Sequence, residues 1–155
     1  MKVIQVCAVG GTALTLLKPQ CCFLRERGFE VQFSFTPGSQ TALLRKEGYT
    51  VHEVSISRRL NPIADIISIF KLISLFKREN PDIVHTHTSK GGGVGRIAAF
   101  FARVPCVIHT IHGFPFDENF TWGKKTIYSI IERLLARLTD ILLSQSSEDI
   151  STAKR

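Results

Sequence analysis

The sequence predicts an α/β domain, a doubly wound parallel sheet of about six strands in the order 3-2-1-4-5-6. Three observations point there. Short apolar runs alternate with helix-length segments along the whole 155-residue chain. The first run is nearly all apolar, as a parallel strand covered on both faces is. The connections are short and marked by glycine and proline, which suits right-handed β-α-β crossovers.

The elements follow in order. Lys2 to Val9 (KVIQVCAV) is the first strand and stops at Gly10-Gly11-Thr12, which reads as a glycine turn. Leu14 to Arg27 has a helical pattern, but a proline in a helix interior costs about 3 kcal/mol, so the helix either starts near Pro19 or kinks there. Gly28 closes it. Phe29 to Thr36 is the second strand, Gln40 to Lys46 a short helix, and Tyr49 to Ile56 the third strand. Pro62 to Arg78 is the most apolar helix of the chain. Its polar residues Asp65, Ser68, Lys71 and Ser74 fall about three apart and leave a wide apolar face. Too interrupted to span a bilayer, it reads as a crossover helix packed on the sheet, with peripheral membrane contact as the other use of so much apolar surface.

Ile83 to His87 is the fourth strand, followed by a glycine-rich turn over Ser89 to Gly93 and a helix from Val94 to Arg103. Val104 to Ile111 is the fifth strand and ends in His112-Gly113. Phe120 to Leu138 is a long helix and Asp140 to Leu143 a sixth strand. These elements make one Rossmann-like domain over 1–155, with no repeat or low-complexity tract.

The net charge of +7 comes from basic residues scattered in ones and twos, without a basic helix or an aromatic-interleaved stripe. Nucleic acid is therefore not the expected partner; a phosphorylated substrate or an anionic membrane face suits a diffuse positive surface better. The four cysteines form neither a CxxC pair nor a disulfide scaffold, and Met1-Lys2 runs straight into a strand without a signal-peptide pattern. Both features lead to the expectation of a reducing cytoplasm.

In open α/β sheets ligands bind outside the carboxyl ends of the strands, where the strand order reverses. Three segments converge on that edge: Gly10-Gly11-Thr12, His87 to Gly93, and His112 to Phe116. Gly10 and Gly11 would let a ligand approach backbone amides, or would serve a plain tight turn. Neither GxGxxG nor GxxxxGK[ST] is present, so nucleotide cofactors lose their usual signature. Lys90 and Gly91 stand where a helix N-terminus favours an anion, and Lys90 either pairs with phosphate or is solvated. His85 and His87 share a strand face by the period of two, with His109 and His112 ending the next strand. An HxH pair could ligate zinc but lacks an accompanying carboxylate or cysteine, and no metal site is expected. His85 reads as a hydrogen-bonded core residue. His112, past its strand and before Gly113, suits a general acid or base or a hydrogen bond to sugar or phosphate, with a loop-stabilising role as the alternative.

Taken in order, several short segments resemble one family. They are Gly10-Gly11, Arg27-Gly28-Phe29-Glu30-Val31, Asn80-Pro81-Asp82-Ile83-Val84-His85-Thr86-His87, Gly95-Arg96, Val104-Pro105 and Ile108-His109-Thr110-Ile111-His112-Gly113. Together they look like the N-terminal domain of family-four glycosyltransferases of the GT-B fold, in the subgroup serving bacterial surface-polysaccharide assembly. The resemblance implies two Rossmann-like domains facing a cleft, retention of configuration, and no metal or other cofactor. The nucleotide diphosphate sugar is then a co-substrate held mainly by the C-terminal domain, and this half supplies most of the acceptor side, with a saccharide or lipid-linked acceptor. By the same resemblance Gly10 and Gly11 approach donor phosphates and acceptor, His112 lies beside the transferred sugar, and Thr12, His87, Lys90, Gly91 and Gly113 line the cleft. The family's C-terminal domain, with its cations for the diphosphate, is not in the chain, so the expectation is a truncated acceptor-side domain, inactive alone and completed in cis or in trans. Two alternatives are a non-catalytic acceptor- or membrane-recruiting subunit of a split transferase, and a different α/β sugar-phosphate enzyme such as an epimerase or hydrolase.

Overall fold

A computed structural model describes residues 1–59, 61–112, 122–144 and 146. Six strands form one sheet: β1 (Lys2–Val9), β2 (Glu30–Thr36), β3 (Thr50–Glu53), β4 (Ile83–His87), β5 (Cys106–Ile111) and β6 (Ile141–Ser144). Their order is β3-β2-β1-β4-β5-β6, as predicted, and every pairing is parallel. All carboxyl ends therefore fall on one edge, with the order reversing between β1 and β4.

The period of two along β1 sorts its side chains into two cores. Ile4, Val6 and Ala8 join Val84 and Val107 beneath two helices, α3 (Pro62–Glu79) and α4 (Ser89–Ala102), which contribute Leu72, Leu75, Phe76, Val94, Ala98 and Ala99. On the opposite face Cys7 packs with Phe33, Phe35 and Val51 under a first helix, α1 (10–26), and a second, α2 (Ser39–Lys46). Burying each such Leu, Val or Phe stabilises the fold by about 1.5–3 kcal/mol.

The structure corrects three local readings. The first concerns Gly10-Gly11-Thr12, which is not a turn but the start of α1: the helix opens over Gly10–Thr12, widens into a π turn over Ala13–Leu17 and resumes over Lys18–Glu26. The wide turn stands immediately before Pro19, whose ring would clash with the carbonyl of Thr15 in a regular helix and whose missing N–H leaves that carbonyl unpaired. Gly28 ends the helix in the left-handed region (φ +81), the cap expected of it.

The second correction concerns the glycine-rich stretch, which is also helical, since α4 begins at Ser89. Its glycines serve close approach. A Cβ on Gly91 would lie 3.0 Å from the Cα of Cys7, one on Gly92 2.4 Å from the His109 ring, and one on Gly95 2.7 Å from Thr86. A side chain at Gly92 or Gly95 would push its neighbours aside and one at Gly91 would press on β1, so the helix backbone lies directly on the strands.

The third correction concerns α3, whose polar residues do not form one stripe: Lys71 and Ser74 are exposed, whereas Ser68 and Asp65 turn inward. Ser68 is buried, with its hydroxyl 2.6 Å from the Ser55 carbonyl, and Asp65 is ion-paired to Lys90 of α4. Leu72, Leu75 and Phe76 pack inward, whereas Ile63 and Phe70 are 73% and 67% exposed. The helix starts at Asn61, whose side chain accepts from the Ala64 amide, and ends at Asn80 in the left-handed conformation.

The last crossover helix is α5 (Trp122–Ala136). It is tied to α4 by the buried Arg96, which donates to Glu132 at 2.8 Å and to the Gly92 carbonyl at 3.0 Å. Arg96 is fully buried, so the pair is a specific strut: losing either partner would leave a costly unpaired group.

Candidate active site

The site grows from three neighbouring strand ends. Gln5 and Cys7 of β1 point to the α1 side of the sheet, and the period of two puts His85 and His87 of β4 on that same side. His87 Nε2 lies 2.7 Å from Gln5 Oε1, and His87 Nδ1 lies 3.1 Å from His112 Nε2. A single hydrogen-bonded row thus crosses β1 and β4 and reaches the residue just past β5. His85 stacks beside it, with ring centroids 4.1 Å from His87, and bonds Thr110 at 2.7 Å.

The other side of the same strands carries a second polar set. His109 Nδ1 donates to the Thr86 carbonyl at 3.1 Å and sits 2.9 Å from the Thr86 hydroxyl. This ring occupies the space that Gly92 leaves open. A cavity of about 100 Å³ lies here, lined by Thr88, Ser89, His109, Ile111, His112, Tyr128 and Glu132. That is well below the ~300–1,000 Å³ of a complete small-molecule site. Its wall is braced by Tyr128, which donates to Ser89 at 2.7 Å, and by the Glu132–Arg96 pair.

Thr88 marks the same spot. It joins β4 to α4 with φ 62 and ψ 158, a region almost confined to glycine, at a cost of about 1–3 kcal/mol. Its hydroxyl is buried without a partner among the described residues.

Burial decides the charge on these rings. It pushes His85 down to about 4, with His112 adding to the effect, and His109 down to about 3, where Arg96 reinforces it. His87 is depressed by burial too, and further by its histidine neighbours. All three are neutral at pH 7. Burial also raises the Cys7 thiol to about 12, so it acts as a small apolar residue and not as a nucleophile.

The residues singled out by sequence do not all take the same part. His112 lines the cavity, and His87, fully buried, reaches that cavity only through His112. Gly11 is half-buried in the first turn of α1, and a Cβ there would meet nothing within 4 Å; Thr12, also half-buried, follows it. Gly10 and Gly91 have structural reasons: a Cβ on Gly10 would lie 2.8 Å from Phe35, and Gly91 lies against β1. Lys90 departs from the anion-binding reading, because its ammonium is committed to Asp65. Gly113 lies outside the described residues. Gln5, Thr88, Tyr128 and Glu132 were missed. Gln5 alone carried a signal, as the one polar residue inside an apolar strand; the others join the cavity through backbone strain or helix packing.

Because the folded state holds the three imidazoles below their ordinary value, the unfolded chain binds more protons than the folded one at acid pH. Stability is fully present above about pH 6.5 and falls as the pH drops toward 4, by up to ~1.4 kcal/mol per pH unit for each ring. Urea unfolding at pH 8.5, 7.5 and 5.5 should give midpoints that are nearly constant over the first interval and fall over the second. A midpoint that rises on acidification would contradict this assignment.

A family model described as Glycosyl transferase 4-like matches residues 5–146. The UDP-Gal:alpha-D-GlcNAc-diphosphoundecaprenol alpha-1,3-galactosyltransferase of Escherichia coli is 43% identical over 95 residues, covering 61% of this chain and 24% of that protein. The capsular polysaccharide biosynthesis glycosyltransferase CapM of Staphylococcus aureus is 27% identical over 135 residues, covering 87% of this chain and 35% of that protein. Among solved structures, MurG of Acinetobacter baumannii superposes with a TM-score of 0.69 at 18% identity, over 95% of this chain and 41% of the other. The UDP-GlcNAc 2-epimerase of Neisseria meningitidis bound to UDP-GlcNAc superposes with a TM-score of 0.72 at 16% identity, over 99% and 42%. At such identities the structural likeness shows the fold alone, which a transferase and an epimerase share. The chain spans less than half the length of each of these proteins. The family match reaches from Gln5 in β1 to just past β6 and so takes in every strand end that builds the site: the chain belongs to the Glycosyl transferase 4-like family.

Proposed function

We propose that this chain is the N-terminal, acceptor-side part of a glycosyltransferase that moves a sugar from a nucleotide diphosphate sugar to a lipid-linked saccharide in cell-surface polysaccharide assembly. The observation that carries the reading is His112, held by the buried His87 at the carboxyl edge of β5 and bordering the cavity. In such a transfer the anomeric carbon leaves the diphosphate oxygen and bonds to an acceptor hydroxyl, whose proton goes to the departing diphosphate. An imidazole beside the sugar meets its hydroxyl groups by hydrogen bonding. Cations that hold the diphosphate come from a second domain, in cis or in trans, and no metal is required of this half. The cavity is correspondingly small, one wall of a cleft whose other wall the second domain supplies. The relatives favour transfer over epimerisation, since the names of the two cited here describe glycosyltransferases.

The exposed outer face of α3 supports a place on the inner surface of the cytoplasmic membrane. Ile63, Ile66, Ile67 and Phe70 stand out to solvent, with exposed Arg58, Arg59 and Lys71 nearby in sequence. Among the described residues no helix is long and apolar enough to cross a membrane, so this contact would be peripheral.

Replacing His112→Ala in the complete enzyme should lower kcat by about 10²-fold while the protein stays folded, the unpaired His87 nitrogen costing about 1–3 kcal/mol. Unchanged turnover would remove His112 from the site. In a separate test, the protein should float with anionic vesicles at low salt and less so at high salt, and Phe70→Ser with Ile66→Ser should release it. Flotation indifferent to both changes would remove α3 from the contact.

A further inference from the structure

We propose that Gln5 and His87 are positioning residues that act through His112, fixing its imidazole in the Nε2–H form and leaving Nδ1 as the only nitrogen at which that ring accepts a hydrogen bond or a proton. The proposal rests on the reading of His112 as the group beside the transferred sugar, and it adds how the ring is prepared for that task.

Gln5 is fully buried, and its Oε1 is a carbonyl oxygen, which only accepts. The ring nitrogen 2.7 Å away, Nε2 of His87, therefore carries the hydrogen. His87 is itself fully buried and neutral, so a proton on Nε2 leaves a lone pair on Nδ1. That lone pair lies 3.1 Å from Nε2 of His112, which must be the donor. Each bond thus fixes the polarity of the next, and the row has one direction from His112 to β1.

Position is fixed as firmly as polarity. His85 lies against one side of the His87 ring and is itself anchored to Thr110. The His87 and His112 rings are inclined by 35° with centroids 5.3 Å apart, so the contact is an edge-directed hydrogen bond and not a stack. A ring held at one nitrogen by a buried, neutral acceptor keeps one tautomer, as a metal-bound histidine does when its other nitrogen donates to a protein acceptor. An uncharged acceptor such as His87 fixes the tautomer without the strong pull toward imidazolium that a carboxylate would exert.

The test combines a spectroscopic readout with kinetics. In protein labelled with 15N-histidine, two-bond and three-bond proton correlations distinguish Nε2–H from Nδ1–H rings. His87 and His112 should both be Nε2–H at pH 8, with signals assigned through His87→Asn and His112→Ala. Gln5→Met removes the acceptor and should let both rings populate a mixture of tautomers. His87→Asn offers its amide oxygen in place of Nδ1 and should keep His112 in the Nε2–H form, whereas His87→Leu should not. In the complete enzyme Gln5→Met should lower kcat about 10-fold with KM little changed, and His87→Asn should retain more activity than His87→Leu. Finding His112 as Nδ1–H in the unaltered protein, or a Gln5→Met spectrum identical to it, overturns the relay. A fixed tautomer together with full activity in His112→Ala overturns the underlying reading of His112 and the catalytic half of this proposal with it.

Discussion

The structure depends on the closeness of α4 to the sheet. Its first two turns carry glycine at positions 91, 92, 93 and 95; a Cβ at Gly92 or Gly95 would overlap side chains of β5 or β4, and one at Gly91 would press tightly on the β1 backbone. The consequence is geometric. The start of the helix comes down onto Cys7, the His109 ring fills the place of a missing side chain, and Thr88 is drawn into a conformation that β-branched residues avoid. Glycine weakens a helix interior by roughly 0.5–1 kcal/mol per residue, and burial of Val94, Ala98 and Ala99 against β1 and β4 offsets that loss.

That approach also divides the polar groups of β4 and β5 between two sides. Thr86 and His109 meet the helix, while His85, His87 and Thr110 face the other way, toward Gln5. The buried polar side chains of β4 and β5 are answered by one another or by neighbouring strands. Among the described residues the buried side-chain atoms without a partner are the Thr88 hydroxyl at the cavity, the Gln5 amide nitrogen behind His87, one guanidinium nitrogen of Arg96, the Ser34 and Thr41 hydroxyls and one carboxylate oxygen of Asp65. Unmet polar atoms of this kind cost about 1–3 kcal/mol each. Of these atoms only the Thr88 hydroxyl belongs to a residue that lines the cavity.

Most of the fold was legible because it is written in local signals. The all-apolar run of β1, Gly28 after the first helix, and Asn61-Pro62 before the third each act within a few residues, and topology follows from handedness once the strands are known. The glycine-rich stretch misled because glycine is read first as a breaker, and only the tertiary contact with Cys7 and His109 makes it a helix that needs no side chains. Lys90 misled for a related reason: charge beside a helix start suggests an anion, but Asp65, a crossover away, supplies it. His112 could be found from its place at a strand end. Glu132 and Tyr128 could not, since nothing in an amphipathic helix says which of its polar residues will turn toward the sheet.

On the function proposed above, the carboxyl edge between β1 and β5 holds the sugar being transferred. The most direct measurement is a crystal structure of the complete protein with a nucleotide diphosphate sugar and a saccharide acceptor analogue. The account predicts a sugar hydroxyl within about 3 Å of the His112 ring, ligand over the open side of Gly11, and Lys90 still paired with Asp65. A donor or acceptor seated away from this edge, or a phosphate that draws Lys90 from Asp65, would contradict it.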